Sequence, residues 1–203
     1  MSWFSIFCWI IVGYFSGSLV WGYWISKYLY GVDIRTKGSG NIGATNVFRQ
    51  LGPVPGILTF ILDVLKGALP LVLLKNFYAT NLNHLMILSV GLAAIIGSKF
   101  SIFLKGKGGK AVNCSFGVIL AIIPIEAIIC FFLWILVFMT TGYVSLASMT
   151  AAIGLPVFLW LMDKDKILII TGLIICAMII MAHKENIKRL RKGKENRFKI
   201  WRR

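Results

Sequence analysis

Long apolar runs, separated by short stretches rich in glycine and polar residues, set the pattern of this 203-residue chain. A helix of about 20 apolar residues crosses the hydrocarbon core of a bilayer. Residues 3–26, 53–75, 84–104 and 143–162 reach or approach that length, and 167–182 form a shorter fifth run. The run from Ala111 to Thr141 fits either one long helix or two short ones, with Pro124 and Glu126 at its middle.

Charge decides between them. Lys27, Arg35, Lys37 and Arg49 follow the first span; Lys99, Lys105, Lys107 and Lys110 flank the end of the third; ten Lys or Arg lie between Lys184 and Arg203. Cytoplasmic loops carry an excess of Lys and Arg. All three regions fall in the cytoplasm only if the chain crosses twice between Lys110 and Thr141, turning near Pro124. The expected fold is therefore an all-α integral membrane protein of seven transmembrane helices, with the N-terminus outside and the C-terminus cytoplasmic. Lys75, Lys164 and Lys166 remain outside as a minority. The fourth and fifth helices are short enough to kink or thin the bilayer locally.

Composition agrees. Hydrophobic residues make up 58% of the chain and charged residues 14%, against about 25% charged in an average soluble domain. A soluble enzyme, a disordered chain and a nucleic-acid-binding domain are excluded. One membrane domain over 1–203, with a basic cytoplasmic tail at about 184–203, is expected. The net charge of +15 is read first as topology and attraction to anionic lipid. Cys8, Cys114, Cys130 and Cys176 sit in apolar runs without a C-x-x-C pair and read as reduced packing residues. The first run is too long for a cleavable signal core, so the first helix is expected to stay.

The same parity gathers the polar stretches on one membrane face: Gly38 to Arg49, Lys107 to Lys110, Tyr143 to Ser148, and His183 to Asn186. Together they offer hydroxyls, amides, backbone N–H groups and fixed cations, an inventory suited to phosphate. Gly38, Gly40 and Gly43 match G-x-G-x-x-G, but they follow a membrane helix rather than a strand, so no dinucleotide site is expected. Lys107-Gly108-Gly109-Lys110 is no Walker motif; it reads as a basic helix-end anchor or a phosphate clamp, Lys110 beginning the next helix. His183, with Asn186 three residues on and on the same face of a continuing helix, reads as an interfacial cap or a functional pair. Asp63 and Lys66, at i,i+3 spacing inside the second span, read as a mutually neutralising pair. His84, beside Asn81 and Asn83 in an outside loop, is given no role. With His84 and His183 on opposite faces, no metal site assembles, and no cofactor is expected.

These residues resemble the bacterial acyl-phosphate:glycerol-3-phosphate acyltransferases (PlsY). Gly17-Ser18 and Gly-Ser-Gly-Asn-Ile-Gly-Ala-Thr-Asn-Val-Phe-Arg at 38–49 are similar to that family's first motif. Leu62 to Gly67, Lys107 to Lys110 and Tyr143 to Ser148 follow in order, and His183 to Leu190 with Gly193 and Glu195 resemble its third motif. The resemblance runs from about Gly17 to Phe198. It implies seven membrane helices and transfer of an acyl group from acyl phosphate to the 1-hydroxyl of sn-glycerol 3-phosphate, at an active site facing the cytoplasm from the inner membrane. On this reading the substrates and membrane lipid are the partners, with functional coupling to an acyl-phosphate-producing enzyme.

His183, Asn186 and Ser39 become the catalytic candidates. Asn41, Thr45, Arg49, Lys110, Ser148, Gly108 and Gly109 become the phosphate-binding candidates. Glu195, Asp63 and Lys66 are structural support. The H-x4-D run of acyl-CoA-dependent enzymes is missing, and either His183 or the substrate's own phosphate can take the hydroxyl proton. The chain departs from the family around the second motif. Ser98 stands in place of His, Ser101 of Pro, Lys105-Gly106-Lys107 of Gly-Phe-Lys, Ala111 of Gly, and Asn113-Cys114 of a small-residue and Thr pair. A methyl at Ala111 crowds a phosphate loop or opposes a positive φ. The alternatives are a weak or inactive paralogue that binds phospholipid or acyl phosphate, and a small anion transporter. A transporter should show repeats or broken midplane helices.

Overall fold

The computed structural model describes residues 3–78, 82 and 84–198. Asn81, Asn83 and the last five residues of the basic tail lie outside them. Among the described residues the regular secondary structure is helical, and the chain falls into two compact units, Met1–Ile122 and Ile123–Arg203. Five helical stretches are long and apolar enough to cross a membrane: Trp3–Leu29, Pro53–Phe77, His84–Leu104, Pro124–Thr141 and Val144–Leu161. Lys166–Ala182 with Lys184–Arg191 makes a sixth if that pair, bent by 59°, is one span.

In the first unit, α1 (Trp3–Ser18) breaks at Leu19 and Val20. The chain resumes as α2 (Trp21–Trp24) and a π-helical turn, Ile25–Leu29. After a 3-10 turn at Ile34–Thr36 come α3 (Ala44–Leu51), α4 (Pro53–Phe77), α5 (His84–Lys99) and α6 (Val112–Ile122). A helix broken inside a bilayer leaves carbonyls that lipid cannot satisfy. Here side chains satisfy them. Lys66 Nζ donates to the Leu19 carbonyl at 2.8 Å and Ser101 Oγ donates to the Ser18 carbonyl at 2.6 Å. Asp63 lies 2.7 Å from Lys66 Nζ and balances the charge that the repair brings into the membrane.

Helix α4 is inverted relative to a soluble amphipathic helix. Thr59, Asp63, Lys66, Pro70 and Leu74 form its buried stripe, while Ile57, Ile61, Leu65 and Leu69 are exposed. This periodicity of 3.6 suits a lipid-facing apolar side. Contacts along the helices fix their directions. A methyl added at Gly13 or Gly17 would strike the carbonyl of Val90 or Ala94 respectively, so α1 runs parallel to α5. One at Gly67 would strike Cys114, and Lys75 Nζ caps the Ala121 carbonyl at 2.6 Å, so α4 runs parallel to α6. Cys114 Sγ donates to the Ala94 carbonyl, and Gly91 faces Val118 and Ile122; α5 and α6 are antiparallel. The loops 19–43 and 100–111 therefore share one end of this unit.

In the second unit, α7 (Pro124–Thr141), α8 (Val144–Leu161) and α9 (Lys166–Ala182) run up and down, and α10 (Lys184–Arg191) follows. The chain between Ala111 and Thr141 is thus two helices parted at Ile123, with Pro124 in the first turn of α7 where its missing N–H costs nothing. Glu126 is buried at the start of α7, and Lys164 Nζ lies 2.9 Å from its Oε1.

Candidate active site

The loop before α3 is built around one amide. Asn46 is buried, and its Nδ2 lies within donating distance of the carbonyls of Ile34 (3.3 Å), Lys37 (3.0 Å) and Asn41 (2.9 Å). Its Oδ1 accepts the Ser39 N–H at 3.0 Å. One side chain thereby folds residues 34–41 into a tight loop, with Gly38 and Gly40 at φ +57° and +69°. Asn41 Oδ1 accepts the Gly43 N–H at 2.8 Å, an Asx turn that leads into α3. Within α3, Ala44 and Val47 are buried while Thr45 and Arg49, four residues apart, share a partly exposed face. Ser39 is exposed on the loop. At the loop's entry, Arg35 grips the Asp33 carboxylate at 2.6 Å. Those side-chain bonds hold the Asp33 carboxyl down at about 2.

The glycine pair 108–109 serves a different purpose from the one expected. The Gly108 and Gly109 N–H groups are spent on the carbonyls of Lys99 (3.0 Å) and Ser98 (3.1 Å) at the end of α5. A methyl at Gly108 would collide with the Ser98 carbonyl. The pair pins the loop to α5, so these two amides are already spent within the protein. Helix α6 starts at Val112, not at Lys110. Between them Ala111 is buried with φ +61°, and Lys105 has φ +52°. Both take the left-handed backbone that a Cβ disfavours. A methyl added at Gly109 would lie 3.9 Å from Asn41 Oδ1, so the two loops are neighbours.

The second unit carries its own polar cluster at the α7–α8 turn. Glu195 is the centre: Ser145 Oγ donates to Oε1 at 2.9 Å, Asn186 Nδ2 donates to Oε1 at 2.6 Å, and Arg189 Nε donates to Oε2 at 2.7 Å. Burial pushes the Glu195 carboxyl up, but hydrogen bonds from Asn186, Arg189 and Ser145 outweigh it and hold the group below the ordinary Glu range. Because Asn186 gives its NH2 to Glu195, its amide orientation is fixed with Oδ1, an acceptor, as the other end. Arg197 Nε donates to the Thr141 carbonyl at 2.9 Å and the Phe198 N–H to that of Gly142 at 2.9 Å, strapping the chain end across the turn.

His183 is buried at the junction of α9 and α10. The expected continuous helix does not exist. The axis bends by 59° there, with His183 at φ −100°, ψ 10° closing one helix and opening the next. Its Nδ1 lies 2.8 Å from the Ile179 carbonyl. A carbonyl only accepts, so Nδ1 carries a proton there, which in a neutral ring puts the lone pair on Nε2. Ser148 lies one turn beyond Ser145 on α8, is buried, and accepts the Trp134 indole N–H at 3.1 Å. Among the described residues, no group of three or more His, Cys, Asp or Glu side chains is placed to hold a metal.

Asn46, Ser145 and Arg189 lie in the polar stretches picked out from the sequence but were given no role there, and Trp134 was not picked out at all. Asn46 stood in plain view beside Thr45, and an amide opening a helix after a glycine-rich loop was the available signal.

A family model described as glycerol-3-phosphate acyltransferase matches residues 7–193. A glycerol-3-phosphate acyltransferase of Fusobacterium nucleatum is 45% identical, over 97% of this chain and 100% of its own. One of Geotalea daltonii is 43% identical, over 94% and 96%. Among solved structures, PlsY (YgiH), an integral membrane glycerol 3-phosphate acyltransferase, matches in its glycerol 3-phosphate form with TM-score 0.89 at 39% identity, over 96% of each chain. Its lysophosphatidic acid form gives 0.87.

Proposed function

Because the chain belongs to the glycerol-3-phosphate acyltransferase family, we propose that it transfers a fatty acyl group from acyl phosphate to the 1-hydroxyl of sn-glycerol 3-phosphate. The hydroxyl oxygen attacks the acyl carbonyl carbon, the bond to the phosphate oxygen breaks, and lysophosphatidic acid and inorganic phosphate leave. The near-full-length similarity to an integral membrane glycerol 3-phosphate acyltransferase, solved in its glycerol 3-phosphate form, carries the proposal.

Both substrates bear phosphate, which calls for fixed cations in a water-poor site; Arg49 and Lys110 fill that role, and Ser39, Asn41, Thr45 and Ser148 add hydrogen bonds without adding charge. His183 Nε2 takes the hydroxyl proton and Asn186 Oδ1 orients the acceptor. Acyl phosphate is a mixed anhydride with a good leaving group, so positioning and charge stabilisation supply much of the rate. Seven crossings, with α6 as a short one, place the polar loops and the tail in the cytoplasm of the inner membrane, where glycerol 3-phosphate is dissolved and an acyl-phosphate-producing enzyme can deliver the donor. The purified protein is expected to acylate glycerol 3-phosphate from acyl phosphate and not from acyl-CoA. Efficient use of acyl-CoA with no response to acyl phosphate overturns the assignment.

The left-handed Ala111 has a measurable consequence. Ala111→Gly relieves a strain of about 1 kcal/mol beside Lys110, so the melting temperature should rise. The Michaelis constant for glycerol 3-phosphate should fall with a smaller change in turnover, the pattern of recovered ground-state binding. An unchanged or higher constant would mean that the loop has already adapted to alanine.

A further inference from the structure

Ser148 is among the helical hydroxyls of this chain that do not bond back to their own helix, as are Ser16 and Ser145. Ser26, Thr59, Ser89, Thr141 and Thr171 each donate back to the carbonyl four residues earlier, at 2.6–2.8 Å. That bond is the usual resting place for a hydroxyl in an apolar helix. Ser148 makes no such bond, and among the described residues its O–H meets no acceptor. Instead its oxygen takes the indole N–H of Trp134 at 3.1 Å. An indole only donates. One lone pair of the Ser148 oxygen is therefore occupied from the α7 side, which biases the hydroxyl hydrogen away from Trp134.

The tryptophan is itself held. Its ring stacks on Phe138 with centroids 5.0 Å apart and lies parallel to Phe131 at 6.4 Å. Phe138 meets Phe198 edge-on at 5.6 Å, where the chain end straps the α7–α8 turn. This aromatic column gives the indole N–H a fixed bearing on Ser148. Nothing in the phosphate-binding inventory requires a residue on α7, and a Trp in a lipid-facing helix has no need of a buried serine.

We propose that Trp134 is a positioning residue that aims the Ser148 hydroxyl, as a hydrogen-bond donor, at a phosphate oxygen of the substrate. The proposal rests on Ser148 belonging to the substrate site, and the two can fail separately. The test compares the purified full-length protein with W134F, S148A and W134F/S148A, reading kcat and KM for glycerol 3-phosphate and for acyl phosphate, with melting temperature as the fold control. W134F keeps an aromatic ring in the column while removing the donor and part of the indole's volume, which is why the melting temperature is read alongside.

The expected result is a rise of roughly threefold to tenfold in KM in W134F for one substrate, the same one that S148A affects. The double variant should show no rise beyond that of S148A. A structural role alone would shrink the active fraction and so lower apparent kcat, leaving both KM values at wild type; that outcome overturns the proposal. So does a full multiplication of the two effects in the double variant. Wild-type constants in S148A remove the serine from the site and the tryptophan's role with it, whereas an S148A defect with a silent W134F refutes the positioning role alone.

Discussion

Replacing Lys110 with alanine, or Arg49 with alanine, is expected to lower glycerol 3-phosphate acylation by at least about tenfold while leaving the helical fold in place. Losing a hydrogen bond to a charged group typically costs about 1.5–3 kcal/mol, and each 1.4 kcal/mol is about a factor of ten in rate. The geometry sharpens the expectation for Lys110. The amides of Gly108 and Gly109 are already bonded to the end of α5, so the loop has little backbone to substitute for a missing ammonium. Arg49 shares its partly exposed face of α3 with Thr45, while Ala44, Asn46 and Val47 make the buried side of that helix. Turnover measured in detergent or nanodiscs, with melting temperature alongside, checks both. Near-normal turnover in both variants would reduce these residues to topology anchors.

His183→Ala is expected to reduce turnover by about a hundredfold or more, the usual reach of a positioned general base. The Nδ1 contact with the Ile179 carbonyl at 2.8 Å selects the tautomer whose lone pair lies on Nε2, as a proton acceptor requires. The same burial makes His183 part of the bend between α9 and α10, so the measurement needs a fold control. A properly melting His183→Ala protein within about threefold of wild-type turnover would hand the proton to the substrate's own phosphate instead.

Much of this architecture was legible in the chain. Apolar length set most of the spans, and Pro124 with the distribution of Lys and Arg divided the run 111–141, where the structure breaks at Ile123. The Asp63–Lys66 spacing gave the pair, but not its partner. Only the fold shows that Lys66 repairs the carbonyl exposed by the break after α1, because the two lie 47 residues apart in sequence. The glycine-rich loop announced itself by composition. The four-way role of Asn46 did not, since it depends on backbone groups from three turns meeting one amide. Gly108 and Gly109 read as anion binders because a sequence does not show which N–H groups are already spent. The helix break at His183 has no proline or glycine to mark it. Trp134 was hidden by its setting: in an apolar run, a Trp that faces lipid and one that holds a serine have the same neighbours.

The account's central claim is that this chain catalyses acyl transfer with release of phosphate, and paired quantification of the two products tests it most directly. Purified protein supplied with acyl phosphate and sn-glycerol 3-phosphate is predicted to form lysophosphatidic acid and inorganic phosphate in equal amounts, both dependent on glycerol 3-phosphate. Phosphate released without lysophosphatidic acid, or neither product formed by protein that melts cooperatively, would contradict it.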